Sequence, residues 1–203
     1  MLPLLSALSL CLTAAAATPS DVLAAPEIVW AGVDYTQARF IGNEDFRDEA
    51  AVVGEYPDKW NDLVLAELMD SMHKAFGKTV ITDSSHMAEH NDACSTDQVL
   101  RQEGGLDDTL IDDSALARLV GSYQLDHDQG VGFAIVVDRF VKSDQQGCSW
   151  PVFFDVQSRE ILYTKRVCED AAGFGFRNYW FRPVKTIITD DLKRILKDIK
   201  KGR

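Results

Sequence analysis

The residue types best suited to chemistry gather at His86-Met87-Ala88-Glu89-His90, with Cys94 four residues further on. On a helix, His86, His90 and Cys94 share one face, which is ligand geometry for zinc, and Glu89 stands where the general base of a metal-dependent hydrolase would. The flanks argue otherwise. TDSS before and NDACSTD after are polar and predict a loop, not the long apolar-faced helix such a site needs. Ser84 and Ser85 precede His86 without the G-x-S-x-G elbow that exposes a nucleophile. Asp126-His127-Asp128-Gln129-Gly130 approaches a calcium loop but lacks its order of oxygen ligands, and Gly173-Phe174-Gly175 lacks the third glycine of a dinucleotide loop. The sequence therefore predicts no catalytic residue, no metal ligand and no cofactor, with a hydrolase built on His86, Glu89 and His90 as the alternative.

A second concentration is aromatic. Gly173 to Phe181 holds five aromatic residues, and its glycines let the backbone turn while rings close the end of a sheet, with Asn178 placed to cap the next turn. Arg177, Tyr179 and Trp180 are the types that dominate protein contact surfaces, and they form the predicted binding patch. Cys148 and Cys168 flank a predicted hairpin, WPVFFDVQSREILYTKRV. A three-residue turn, Gln157-Ser158-Arg159, sets Val156 against Glu160 and Cys148 against Cys168, within disulfide reach. Cys94 is then left over.

The elements that must position these residues follow from periodicity. Glu27 to Gly42 is β-rich and predicts a first strand with a long or bent continuation, followed by an acidic loop, NEDFRDEAAVVGE. Pro57 opens a helix whose apolar positions Trp60, Leu63, Val64, Leu68, Met72 and Phe76 keep a 3.6-residue period, and Gly77 stands at its C-terminal cap. A short strand, Thr79 to Asp83, completes a β-α-β unit with a right-handed crossover. The polar stretch from Ser84 to Gln129 offers one helical pattern, Ser114 to Tyr123. Gly130 to Val141 is apolar enough for a central strand buried on both faces, and with the hairpin it makes a three-strand antiparallel meander. A C-terminal amphipathic helix carries Val184, Ile187, Ile188, Leu192, Ile195 and Ile199 on one stripe, with Pro183 in its first turn. The expected fold is α/β (α+β): a single mixed sheet with helices mainly on one face.

The 203 residues accommodate one globular domain, 26–203, behind a signal peptide, 1–25, whose apolar core ends in small residues and predicts cleavage after Ala17 or Ala24. Export to a periplasmic or extracellular, oxidising compartment suits the paired cysteines, and no later apolar run reaches spanning length. A net charge of -11 excludes a general nucleic-acid surface. The charge is uneven: residues 182–203 hold eight bases and three acids, which complements the dipole of the last helix.

With Phe154-Asp155, Ile161-Leu162 and Gly173 to Trp180, the chain resembles a group of uncharacterised exported bacterial proteins that carry an FDxxxxxIL hairpin followed by GFGxRNYW. Its strand order is similar to anticodon-binding-like envelope domains such as the TolB amino-terminal domain and the curli secretion lipoprotein. These resemblances imply a module of the cell envelope that contacts a protein or wall component and does not catalyse a reaction.

Overall fold

The computed structural model describes residues 18–42, 46–100 and 104–203, so residues 1–17 of the expected leader lie outside it. β1 (Glu27–Asp34) and β2 (Arg39–Ile41) form one interrupted line, and both run parallel to β5 (Val131–Val141) along the same edge. β3 (Thr79–Thr82) lies parallel outside β1, and β4 (Val99–Leu100) parallel outside β2. Across β5 the direction reverses. β6 (Gln146–Asp155) is antiparallel to β5, while β7 (Ile161–Thr164) and β8 (Val167–Asp170) are antiparallel to β6. This is the mixed α/β sheet that the sequence predicts. Flanked on both edges and covered on both faces, β5 is buried at every residue.

One face carries most of the helices. There α1 (Pro19–Ala24), α2 (Glu49–Gly54), α3 (Tyr56–Glu67), α4 (Met69–Phe76), α7 (Phe176–Thr186) and α8 (Leu192–Lys200) pack their apolar stripes on Trp30, Phe133, Ile135 and Phe153. The other face, with Val29, Ala134, Val136 and Phe154, is covered by α5 (Met87–Asn91) and α6 (Asp113–Ser122) through Met87, Leu116 and Val120. Gly132 sits beneath the Phe154 ring, where a Cβ would stand 2.3 Å from it.

Several expectations are corrected. The acidic loop contains α2, because Asp48 accepts a hydrogen bond from the Ala51 N–H (3.1 Å) and caps a short helix that buries Val52 and Val53. The Pro57 helix is divided at Leu68 into α3 and α4, although Gly77 does cap it in the left-handed region (φ 66°). The final helix starts at Phe176, with Pro183 inside α7 and Asn178 within the helix instead of capping it. The Trp60 indole N–H donates to the Arg177 carbonyl (2.8 Å) in the first turn of this helix. Pro183 has no N–H to offer the Tyr179 carbonyl, and the helix widens into a π turn at Ile187–Asp191 before α8.

The hairpin keeps its predicted register by a different route. Val152 faces Thr164 and Cys148 faces Cys168, but a bulge lies between Phe153 and Phe154, so the turn itself is one residue out of step. Bulge and turn offset one another, and Cys148 and Cys168 are disulfide-bonded.

Candidate functional site

The polar site at the carboxyl end of β1 is created by a bulge. Pairing with β5 slips between Trp30 and Gly32, and Gly32 adopts φ 111° with Met87 against it. Strict alternation would send Asp34 to the same face as Ile28 and Trp30, into the large core. With the extra residue, Val33 and Tyr35 point there instead, and Asp34 faces α5 and α6. Two amides hold the bent backbone: Asn61 accepts from the Val33 N–H (2.8 Å), and Asn91 accepts from the Tyr35 N–H (2.8 Å). The Val33 carbonyl accepts from both side chains.

Asp34 is wholly buried and has four donors. Its Oδ1 accepts from the Thr36 N–H (2.8 Å) and hydroxyl (2.7 Å), while Oδ2 accepts from the Tyr123 hydroxyl (2.9 Å) and pairs with His90 Nε2 (3.1 Å). Burial pushes the carboxyl up, but the His90 and Thr36 donors outweigh it and hold Asp34 below the ordinary carboxylate value. In return the hydrogen bond to Asp34 raises the His90 imidazole against its own burial. Burial, reinforced by Asp34, keeps Tyr123 protonated as a donor. His90 forms one wall of a polar cavity of about 290 Å³, with His86, Glu89, Ser122 and Gln124 around it.

A second carboxylate occupies the end of β3. Asp83 accepts from the backbone N–H groups of Asp126 (3.0 Å) and His127 (2.8 Å) and meets His127 Nδ1 at 2.8 Å. His86 reaches Asp126 at 3.4 Å. The histidines of the H-x-x-E-H string are thus drawn to different carboxylates, and α5 ends at Asn91, before Cys94. Among the described residues, no three His, Cys, Asp or Glu side chains are grouped to hold a metal ion. Cys94 packs against the opposite, larger core, and its thiol is pushed up to about 12 by burial and then by Asp34, Asp58 and Asp92, so it stays protonated and unreactive.

The predicted binding patch is divided by burial. Arg177 is exposed, and Tyr179 is half-buried with the Lys142 ammonium 4.7 Å from its ring centre. Trp180 is fully buried against Phe46 and Phe140, which removes it from any contact surface. The exposed ring of this segment is instead Phe174, and Phe176 lines a cavity of about 250 Å³ with Arg47, Asp48, Ala51, Val52 and Tyr56.

A carboxyl pair lies at the π turn. Asp191 is buried, its Oδ1 on Arg194 (2.7 Å) and its Oδ2 without a donor within the described residues. Glu169 of β8 stands against it and is pushed up to about 7 by burial and by Asp191, with Asp170 adding to the effect and Arg194 opposing it. A protonated Glu169 supplies the donor that Asp191 lacks. Because the folded value lies above the ordinary 4.5, this stabilisation is complete below about pH 4.5 and is lost as pH rises through about 7. Glu169→Gln carries a permanent N–H donor, so its Tm should exceed that of the parent at pH 8 and vary less between pH 5 and 8, as differential scanning calorimetry reads; a parallel pH profile for both proteins would sink the assignment.

No protein-family model matches the chain, and no curated protein matches it in sequence. The residues that sequence reasoning passed over are Asp34 and Tyr123. A glycine inside an apolar strand, followed by an acid at the strand end, was the local signal for Asp34. Tyr123 had none, since its partner is 89 residues away.

Proposed function

We propose that the chain is an exported binding module that docks a protein of the cell envelope through the segment from Gly173 to Tyr179 and catalyses no reaction. Phe174 carries this reading. Its ring is 96% exposed, on a turn whose flanking Gly173 and Gly175 hold φ of 129° and 77°, conformations that favour glycine. Burying such a ring is worth roughly 1.5–3 kcal/mol, a gain that only a partner can realise here. The exposed Arg177 adds the second residue type that anchors such contacts. The likeness of this segment to the GFGxRNYW proteins supports the same reading.

Export is supported by the Cys148–Cys168 disulfide, which suits an oxidising compartment, and among the described residues no helix is long and apolar enough to cross a membrane. Of the two cleavage points, the one after Ala17 fits the fold. The Thr18 N–H donates to Asp21 Oδ2 (2.6 Å), Val22 is buried, and the Lys78 ammonium donates to the carbonyls of Val22, Leu23 and Ala25 (3.2, 3.0 and 2.6 Å). A cut after Ala24 would remove Val22 from the core and two of the acceptors from Lys78.

The test is photo-cross-linking of the full-length chain in its own host, with the probe at position 174. We expect a discrete adduct with one envelope protein on a chain starting at Thr18, lost on Arg177→Glu, and none from the same probe at Leu110, an exposed leucine elsewhere. Equal products from both positions, or none from 174, would overturn the reading.

A further inference from the structure

The cavity over Asp34 is separate from the aromatic turn, and its groups call for a ligand of their own. His90 is oriented from behind: Nε2 is committed to a fully buried carboxylate, and the side chain keeps 20% of its surface exposed. Nδ1 makes no hydrogen bond among the described residues and is the free position of a ring that lines the cavity. The buried Asp34 carboxylate favours the imidazolium, and in that form Nδ1–H is a charge-assisted donor for an acceptor such as a carboxylate. Glu89, exposed on α5, brings a negative charge to the same cavity. Ser122 donates its own proton to the Leu119 carbonyl (2.7 Å), which leaves its oxygen as an acceptor, and Gln124 offers an amide.

The surroundings decide between ligand charges. The chain carries a net charge of -11, and Asp126 stands by His86 at the rim, so a plain anion is repelled on approach. A plain cation meets Glu89 but finds the imidazolium beside it. A molecule bearing both charges satisfies both groups and brings no net charge. At about 290 Å³ the cavity has the size for a free amino acid and falls at the lower end of the range for small-molecule sites. Its place, outside the carboxyl ends of the parallel strands β1 and β3, is where open α/β sheets accept ligands.

We propose that this cavity binds a small zwitterion of the amino-acid class, its carboxylate on His90 Nδ1 and its ammonium on Glu89. Tyr123, Thr36 and Asp34 are positioning residues that hold the imidazole. This site is independent of the Phe174 contact.

The test is an NMR titration of the protein with glycine, L-alanine, L-glutamate and L-lysine, with acetate and methylammonium as the separate halves. Saturable shifts confined to residues 86–91 and 122–125 are expected with at least one amino acid, and neither half should reach comparable affinity. Glu89→Gln, an exposed change that leaves the fold alone, should weaken binding about tenfold or more. His90→Gln should abolish it; if that variant fails to fold, Glu89→Gln still decides. Phe174→Ala should bind as the parent does, which separates failure of this site from failure of the docking surface. No saturable shift at millimolar amino acid, or acetate binding equally well, would overturn the proposal.

Discussion

Asp138→Ala is expected to destabilise the protein by about 3–5 kcal/mol, with a fall in Tm of roughly 10 °C. Asp138 occupies a bulge in β5, where pairing with β6 slips between Val137 and Arg139. Its Oδ1 meets Arg139 Nε (3.3 Å), and its Oδ2 accepts from Arg166 Nε (2.8 Å). Asp138 and Arg139 are each 2% exposed at the side chain. A guanidinium does not discharge on burial as a lysine or histidine does, so removing the acid takes from the buried Arg139 and the partly exposed Arg166 the carboxylate that pairs with both. The two arginines also hold a loop in place: Arg139 donates to the carbonyls of Gly105 (2.5 Å) and Asp108, and Arg166 to that of Leu106. Loss of Asp138 should therefore raise amide exchange over residues 104–108 as well as lower the denaturation midpoint. Asp138→Asn keeps the shape and an acceptor and should fall between parent and alanine variant. A loss under about 1 kcal/mol would mean that the network is effectively solvated.

The second large effect is on the disulfide. Replacing Cys148 and Cys168 together by alanine should cost about 3 kcal/mol, because the bond closes a loop of 20 residues in the unfolded chain. The folded state needs it locally as well. β8 is four residues long and separated from β7 at Lys165 and Arg166, so its hold on β6 is a short ladder around the bond. Cys148 is wholly buried and Cys168 half-buried, so reductant should cleave the bond more slowly in the native protein than in the unfolded chain. Denaturation with and without reductant measures both points. Coincident midpoints for parent and double variant would show that the ladder alone suffices.

The aromatic segment shows how far residue types reach. Composition marks Gly173 to Phe181 as a place where rings concentrate, and that holds. Which rings meet water depends on the helical phase of α7, which turns Trp180 into the core toward Phe46 and leaves Arg177 outside. The first turn of that helix also receives the Trp60 indole N–H, from 117 residues away.

Local pattern was sufficient wherever an element is defined by burial along its own length or by backbone geometry: the nearly continuous apolar run of β5, the left-handed cap at Gly77 and the helix that ends at Ser122, while Cys148 faces Cys168 as predicted through a bulge and a turn that offset one another. The hydrophobic period and turn chemistry act over a few residues, and both are written in the chain. His86, Glu89 and His90 were legible as candidate residues, but the site they share was decided by tertiary structure. One bulge at Gly32 turns Asp34 from the large core to the opposite face, and its partners His90 and Tyr123 come from 56 and 89 residues away. A wholly buried carboxylate is stable only when such distant donors converge on it, and that convergence has no period for a sequence to display.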